Sequence, residues 1–112
     1  MKPIQWLGSS RADLKAFPDD ARRVAGFQLH LVQLGFDPND WKPFRTVGPG
    51  VREIRVHTGV EHRVLYVATF AEAVYVLHAF AKKTPRTAQP DVKVARARFQ
   101  ALLAERRGAH GT

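Results

Sequence analysis

With 112 residues, 45% hydrophobic and 25% charged, the chain has the size and composition of one globular domain, expected to span residues 1–112. Cysteine is absent, which excludes disulfides, thiolate metal sites, iron–sulfur clusters and thiol nucleophiles. Eighteen Lys and Arg against ten Asp and Glu give a formal net charge of +8, a field that favours polyanions or an acidic protein partner. No apolar run approaches the ~18 residues of a membrane span, and Met1–Ser10 lacks the apolar core of a signal peptide. A cytoplasmic protein without membrane contact is the expectation.

Along the chain, Pro3–Leu7 reads as a short strand, and Gly8-Ser9-Ser10 breaks it. Ser10 stands three residues before Asp13, a capping-box-like spacing that predicts a brief helix over Arg11–Ala16. Pro18 suits the first turn of a second helix, and Asp19 and Asp20 complement the positive end of its dipole. That helix runs to Leu34 before Gly35. Arg22, Arg23, Gly26, His30 and Gln33 share its polar side, and Ala21, Val24, Ala25, Phe27, Leu31, Val32 and Leu34 fill the opposite arc. Beyond the turn Phe36–Asp40 the period changes to two. Strands are predicted at Trp41–Val47, Val51–His57, Glu61–Thr69 and Ala73–Ala81, and the short connections imply antiparallel neighbours. Lys82–Gln89 is a basic loop. Pro90-Asp91 opens a last helix to about Arg107, with Val94, Ala97, Phe99 and Leu102 inward, and Gly108–Thr112 reads as a frayed tail. The class is α+β: N-terminal helices on a mainly antiparallel sheet, closed by a C-terminal helix.

Familiar enzyme signatures are missing. The only serines, Ser9 and Ser10, lie in no nucleophile elbow. Gly48-Pro49-Gly50 lacks the Lys-Ser/Thr of a phosphate loop. His57, Glu61 and His62 have the wrong spacing for a zinc helix, so neither metal nor cofactor is expected. The charges of the sheet say more. Alternation sends Glu53, Arg55 and His57 to one face, and Ile54 and Val56 to the other, against the long helix. With Thr58-Gly59-Val60 as a three-residue hairpin loop, Arg55 stands opposite Arg63, and His57 opposite Glu61. Either the two arginines each pair with a neighbouring glutamate in solvent, or they join Lys82 and Lys83 in a cationic cluster with few acids nearby. The second arrangement suits a phosphate, which guanidinium forks grip bidentately and ammonium groups attract as point charges. On an exposed face, Arg63 would contribute little to stability. His78, inside an apolar strand, reads as a packed core histidine.

Taken in order, Val51–Val56, His62–Tyr66 and Val76–Thr84 resemble the phage-derived, HigB-like branch of the RelE/ParE toxin superfamily. Trp6–Ser10, Phe17-Pro18, Trp41–Pro43 and Gly48–Val51 fall where that branch has similar residues, and the likeness covers about residues 4 to 103. The resemblance implies a curved antiparallel sheet with helices on one face and a basic active surface on the other. It implies a ribosome-dependent endoribonuclease that cuts mRNA in the decoding site and is neutralised by a cognate helix-turn-helix antitoxin. The implied chemistry is attack of a ribose 2′-OH on the adjacent phosphate, carried here by Arg55, Arg63, Lys82 and Lys83. Many relatives place a tyrosine near the C-terminal helix, whereas this chain has none after Tyr75. The candidates for proton transfer are then Glu53 or His57 as base, and Lys83 or His57 as acid. Two other classes stay open: a non-catalytic ParE-like gyrase inhibitor, and a basic module that binds RNA or a partner.

Overall fold

The computed structural model describes residues 1–110. In chain order it contains β1 (Ile4–Trp6), α1 (Ser10–Lys15), α2 (Asp19–Gln33), β2 (Trp41–Pro43), β3 (Val51–Thr58), β4 (Val60–Val67), β5 (Val74–Ala81) and α3 (Gln89–His110). The strands form one sheet in the order β1-β5-β4-β3-β2. Three neighbouring pairs are antiparallel, as the short connections demand. The fourth pair differs: β1 runs parallel to β5, with Ile4 against Val74 and Trp6 against Val76. The sheet is therefore mixed, because the helices between β1 and β5 return the chain to the same end.

Two apolar layers sandwich the sheet. On one side, Leu14, Phe17, Ala21, Ala25, Leu29 and Val32 from α1 and α2 pack on Ile54, Val56, Val64, Tyr66 and Val76. On the other, Ala95, Phe99 and Leu102 of α3 pack on Val51, Leu65, Val67, Leu77 and Phe80. Central β4 is buried without interruption from His62 to Val67, which explains its near-continuous run of apolar residues. Helix α3 covers only part of its side, and the sheet charges lie on the rest.

Several boundaries and faces depart from the sequence reading. Ser9, not Ser10, precedes α1, and its Oγ donates to Asp13 at 2.7 Å. Ser10 is wholly buried and donates to the Val76 carbonyl instead. Pro18 occupies the position before α2 rather than its first turn. Phe27 and Leu34 are 55% and 48% exposed, whereas Gln28 and Leu29 are buried. Strand β2 stops at Pro43, and Phe44–Val47 turns instead, with the Val47 N–H bonded to the Phe44 carbonyl. Helix α3 buries Val92 and Ala95, not Val94 and Ala97. It also continues to His110 where a frayed tail was expected; residues 111–112 lie outside the described residues. Among the described residues, no helix is long and apolar enough to cross a membrane.

Candidate functional site

The hairpin between β3 and β4 builds the site. Gly59 has φ +100°, a conformation that side-chain-bearing residues rarely adopt, so the tight turn depends on it. The resulting register sets Arg55 opposite Arg63, and His57 opposite Glu61. One residue slip would have sent every one of these side chains to the other face. Ile54 and Val56 point the opposite way, into the layer beneath α2. The strand end of β5 joins the same face: the Lys82 N–H donates to the Glu61 carbonyl at 2.7 Å. Glu61, Arg63, Lys82 and Lys83 line a shallow depression of about 300 Å³. Arg55, Arg63, Lys82, Lys83 and His57 are thus brought to one region, with Glu53 beneath Arg63.

Of the two arrangements open in the sequence, the acid-poor cluster is not the one found: Arg63 pairs with neighbouring glutamates, though not in solvent. The Arg63 side chain is only 3% exposed, its Nη1 lying 3.0 Å from Glu61 and its Nε 3.6 Å from the buried Glu53 carboxylate. Its Nη1 also donates to the His62 carbonyl. Arg63 is therefore an interior ion-paired residue rather than a cation on an exposed face, because Glu53, Phe80 and the chain after β5 close over it. Arg55 is less engaged. Its side chain is 26% exposed, its nearest carboxylate is Asp40 at 4.0 Å, and its Nε is buried without a hydrogen-bond partner.

His57 is held from both sides, Nδ1 at 2.7 Å from Glu61 and Nε2 at 2.6 Å from Asp40. Only the protonated ring can donate from both nitrogens at once. The hydrogen bond to Glu61 first, and that to Asp40 second, raise its pKa above the ordinary 6.5, and the same contact with His57 lowers that of Glu61. Both contacts favour the imidazolium form of a ring set between two carboxylates, on the face that also carries Arg55 and Arg63. That arrangement can donate a proton and stabilise a developing anion.

Two acids escaped the sequence reading. Asp40 ends a turn cluster and reaches the site only because β2 pairs with β3, its carbonyl accepting the Arg55 N–H at 2.9 Å. Asp91, in the first turn of α3, accepts from His78 Nε2 at 2.7 Å. His78 is 8% exposed, stacks on Phe80, and keeps a buried Nδ1 without a partner. It is packed as expected, but its carboxylate partner had no local signal. Among the described residues, no group of three His, Asp or Glu is placed to hold a metal ion.

No curated protein matches the chain. The description "Phage derived protein Gp49-like (DUF891)" matches residues 12–100, a span that takes in most of α1, all of α2, all of β2 to β5 and half of α3. With this α+β fold and this charged sheet face in hand, the match settles the kinship: the chain belongs to the phage-derived Gp49-like family, which is a RelE/toxin-like family.

Proposed function

We propose that the chain is the toxin of a toxin–antitoxin pair and acts as a ribosome-dependent mRNA endoribonuclease. Membership of a toxin-like family supports the first half of this reading. The observation that supports the second is Arg55, a partly exposed cation whose nearest carboxylate stands 4.0 Å away, next to a His57 ring held between two carboxylates. An RNA phosphate beside Arg55 gains the guanidinium fork that no carboxylate of the chain fully occupies. The 2′-oxygen attacks phosphorus, the phosphorus–5′-oxygen bond breaks, and a 2′,3′-cyclic phosphate remains. His57 gives its proton to the departing 5′-oxygen, and Glu61 takes the proton of the 2′-OH. Lys82 and Lys83 attract the RNA backbone. Arg63 positions Glu61, and Glu53 in turn holds Arg63. The ribosome aligns the 2′-OH in line with the leaving oxygen, a geometric contribution this small site does not make by itself.

The test compares wild type with Arg55→Ala and His57→Gln on mRNA bound to ribosomes, mapping the RNA ends. Removing a group that stabilises transition-state charge typically costs ~100- to 1,000-fold in rate. Cleavage by wild type leaving cyclic phosphates, with losses of that size in both variants, is the expected result. Inhibition of DNA supercoiling without RNA cleavage would replace this reading by the gyrase one.

A further inference from the structure

On the sheet side opposite the charged face lies a groove of about 210 Å³ between β1, α1 and α2. Trp6, Leu14 and Leu29 line it, and Arg11, Lys15 and Arg22 also border it. Arg22 holds Asp19 at 2.9 Å, whereas Arg11 and Lys15 form no ion pair among the described residues. An apolar groove bordered by cations complements an apolar side chain flanked by carboxylates.

Gly26 identifies the shape of the partner. It sits inside α2 and lines the same groove. A glycine there costs the helix about 1 kcal/mol relative to alanine. Among the described residues nothing requires it: beyond its chain neighbours and the backbone of its own helix, a Cβ at position 26 would meet no atom within 4 Å, and no positive φ is needed. The missing side chain instead leaves α2 open to close backbone approach.

We infer that this groove is where the antitoxin docks, by an acidic amphipathic helix that crosses α2 at Gly26 and inserts one large apolar side chain against Trp6 and Leu29. The inference rests on the toxin reading, and it deepens that reading by separating neutralisation from chemistry. The volume holds one large side chain, so recognition concentrates in a single anchor with acidic neighbours that meet Arg11 and Lys15. Docking here leaves Arg55 and His57 uncovered. Inhibition then comes from the bulk of the complex, which keeps the sheet face out of the ribosome.

The experiment uses the full chain with its cognate antitoxin, defined as the protein whose co-expression lifts the growth arrest that the chain causes. Gly26→Leu fills the groove while improving helix propensity, so its melting temperature should match or exceed wild type. Its affinity for the antitoxin should fall about 30-fold or more, the scale of losing a central anchor. Ribosome-bound mRNA cleavage by the isolated variant should stay at the wild-type rate. Arg11→Glu with Lys15→Glu should slow association and flatten its dependence on salt. A folded Gly26→Leu chain that binds antitoxin as tightly as wild type overturns the inference while leaving the toxin reading intact. So does a chain that is dimeric in isolation and monomeric as Gly26→Leu, which assigns the groove to a second copy. A wild-type chain that arrests no growth overturns the toxin reading, and this surface with it.

Discussion

Arg63 decides which mutations can test the chemistry. Its guanidinium is buried between Glu53 and Glu61, and removing it strands a buried carboxylate. Breaking one partner of a buried ion pair typically costs ~3–5 kcal/mol. Arg63→Ala is therefore expected to lower the urea midpoint markedly, and Arg63→Ala with Glu53→Gln to recover part of the loss; equal midpoints for the single and double variants would contradict the pairing. Arg55→Ala, with a partly exposed side chain and only a distant acid, should unfold near wild type. His57 offers a pH test. Its raised pKa means that its proton stabilises the fold fully below the ordinary 6.5, and that this support is lost as pH rises through the folded value. Glu61 runs the other way: its support is full above the ordinary 4.5 and is lost as pH falls through its lowered folded value. The melting-temperature gap between wild type and His57→Gln should be widest between pH 4.5 and 6.5 and shrink in more alkaline buffer. Proton NMR should show the His57 ring titrating above 6.5, and lower in Glu61→Gln, where its first-ranked partner is gone. The Arg55–Arg63 and His57–Glu61 pairings were legible in the sequence because a glycine turn and strict alternation fix them locally. Asp40 and Asp91 were not, since each meets its histidine through tertiary pairing that no neighbouring residue announces. Alternation names a face, but the burial of Arg63 depends on what later covers that face.

Helix faces were legible only where the apolar arc was narrow. In α2 that arc was drawn too wide, and the fold settled on Ala21, Ala25, Leu29 and Val32, leaving Phe27 and Leu34 outside. In α3, Phe99 and Leu102 face inward as expected, but the stripe before them runs through Val92 and Ala95 rather than Val94 and Ala97, at spacings that keep one face of a 3.6-residue helix. A close approach explains how α3 is seated. Gly48, in the turn before β3, has no room for a side chain, because a Cβ there would collide with the ring of Phe99. Gly48→Ala should therefore push α3 off the sheet and cost ~1–3 kcal/mol, the usual scale of overpacking. Adding Phe99→Leu to Gly48→Ala should relieve the collision, so that the pair loses less than the two single changes summed. Strict additivity in chemical denaturation would show that the ring and the turn do not meet. Strand β2 shows why a boundary was missed. The Phe44 N–H still donates to the Val51 carbonyl, and the chain then turns with the Val47 N–H on the Phe44 carbonyl, although the pattern of side chains continued to Val47.

A chain at +8 presents a field that acts before any contact forms. If the chain acts on ribosome-bound mRNA as proposed, its binding there should weaken steeply with salt, by about tenfold or more between 50 and 200 mM, as condensed counterions are released. Binding that is flat across that range would mean that its cations do not touch phosphate. The general class, helices before a sheet and one helix after, was legible from the change of hydrophobic period along the chain. The parallel pairing of β1 was not, because a three-residue strand carries no sign of direction. That pairing orders events during synthesis. Among the described residues, β1 pairs with Val74–Val76 alone, which leave the ribosome long after it. Until then, Trp6 and the groove beside α1 have no sheet edge to rest on. Nascent chains stalled before Val74 should remain open to protease, and chains extended through α3 should resist it. Strand β1 is made well before the strand it needs, and a growing chain carries it unpaired until β5 follows.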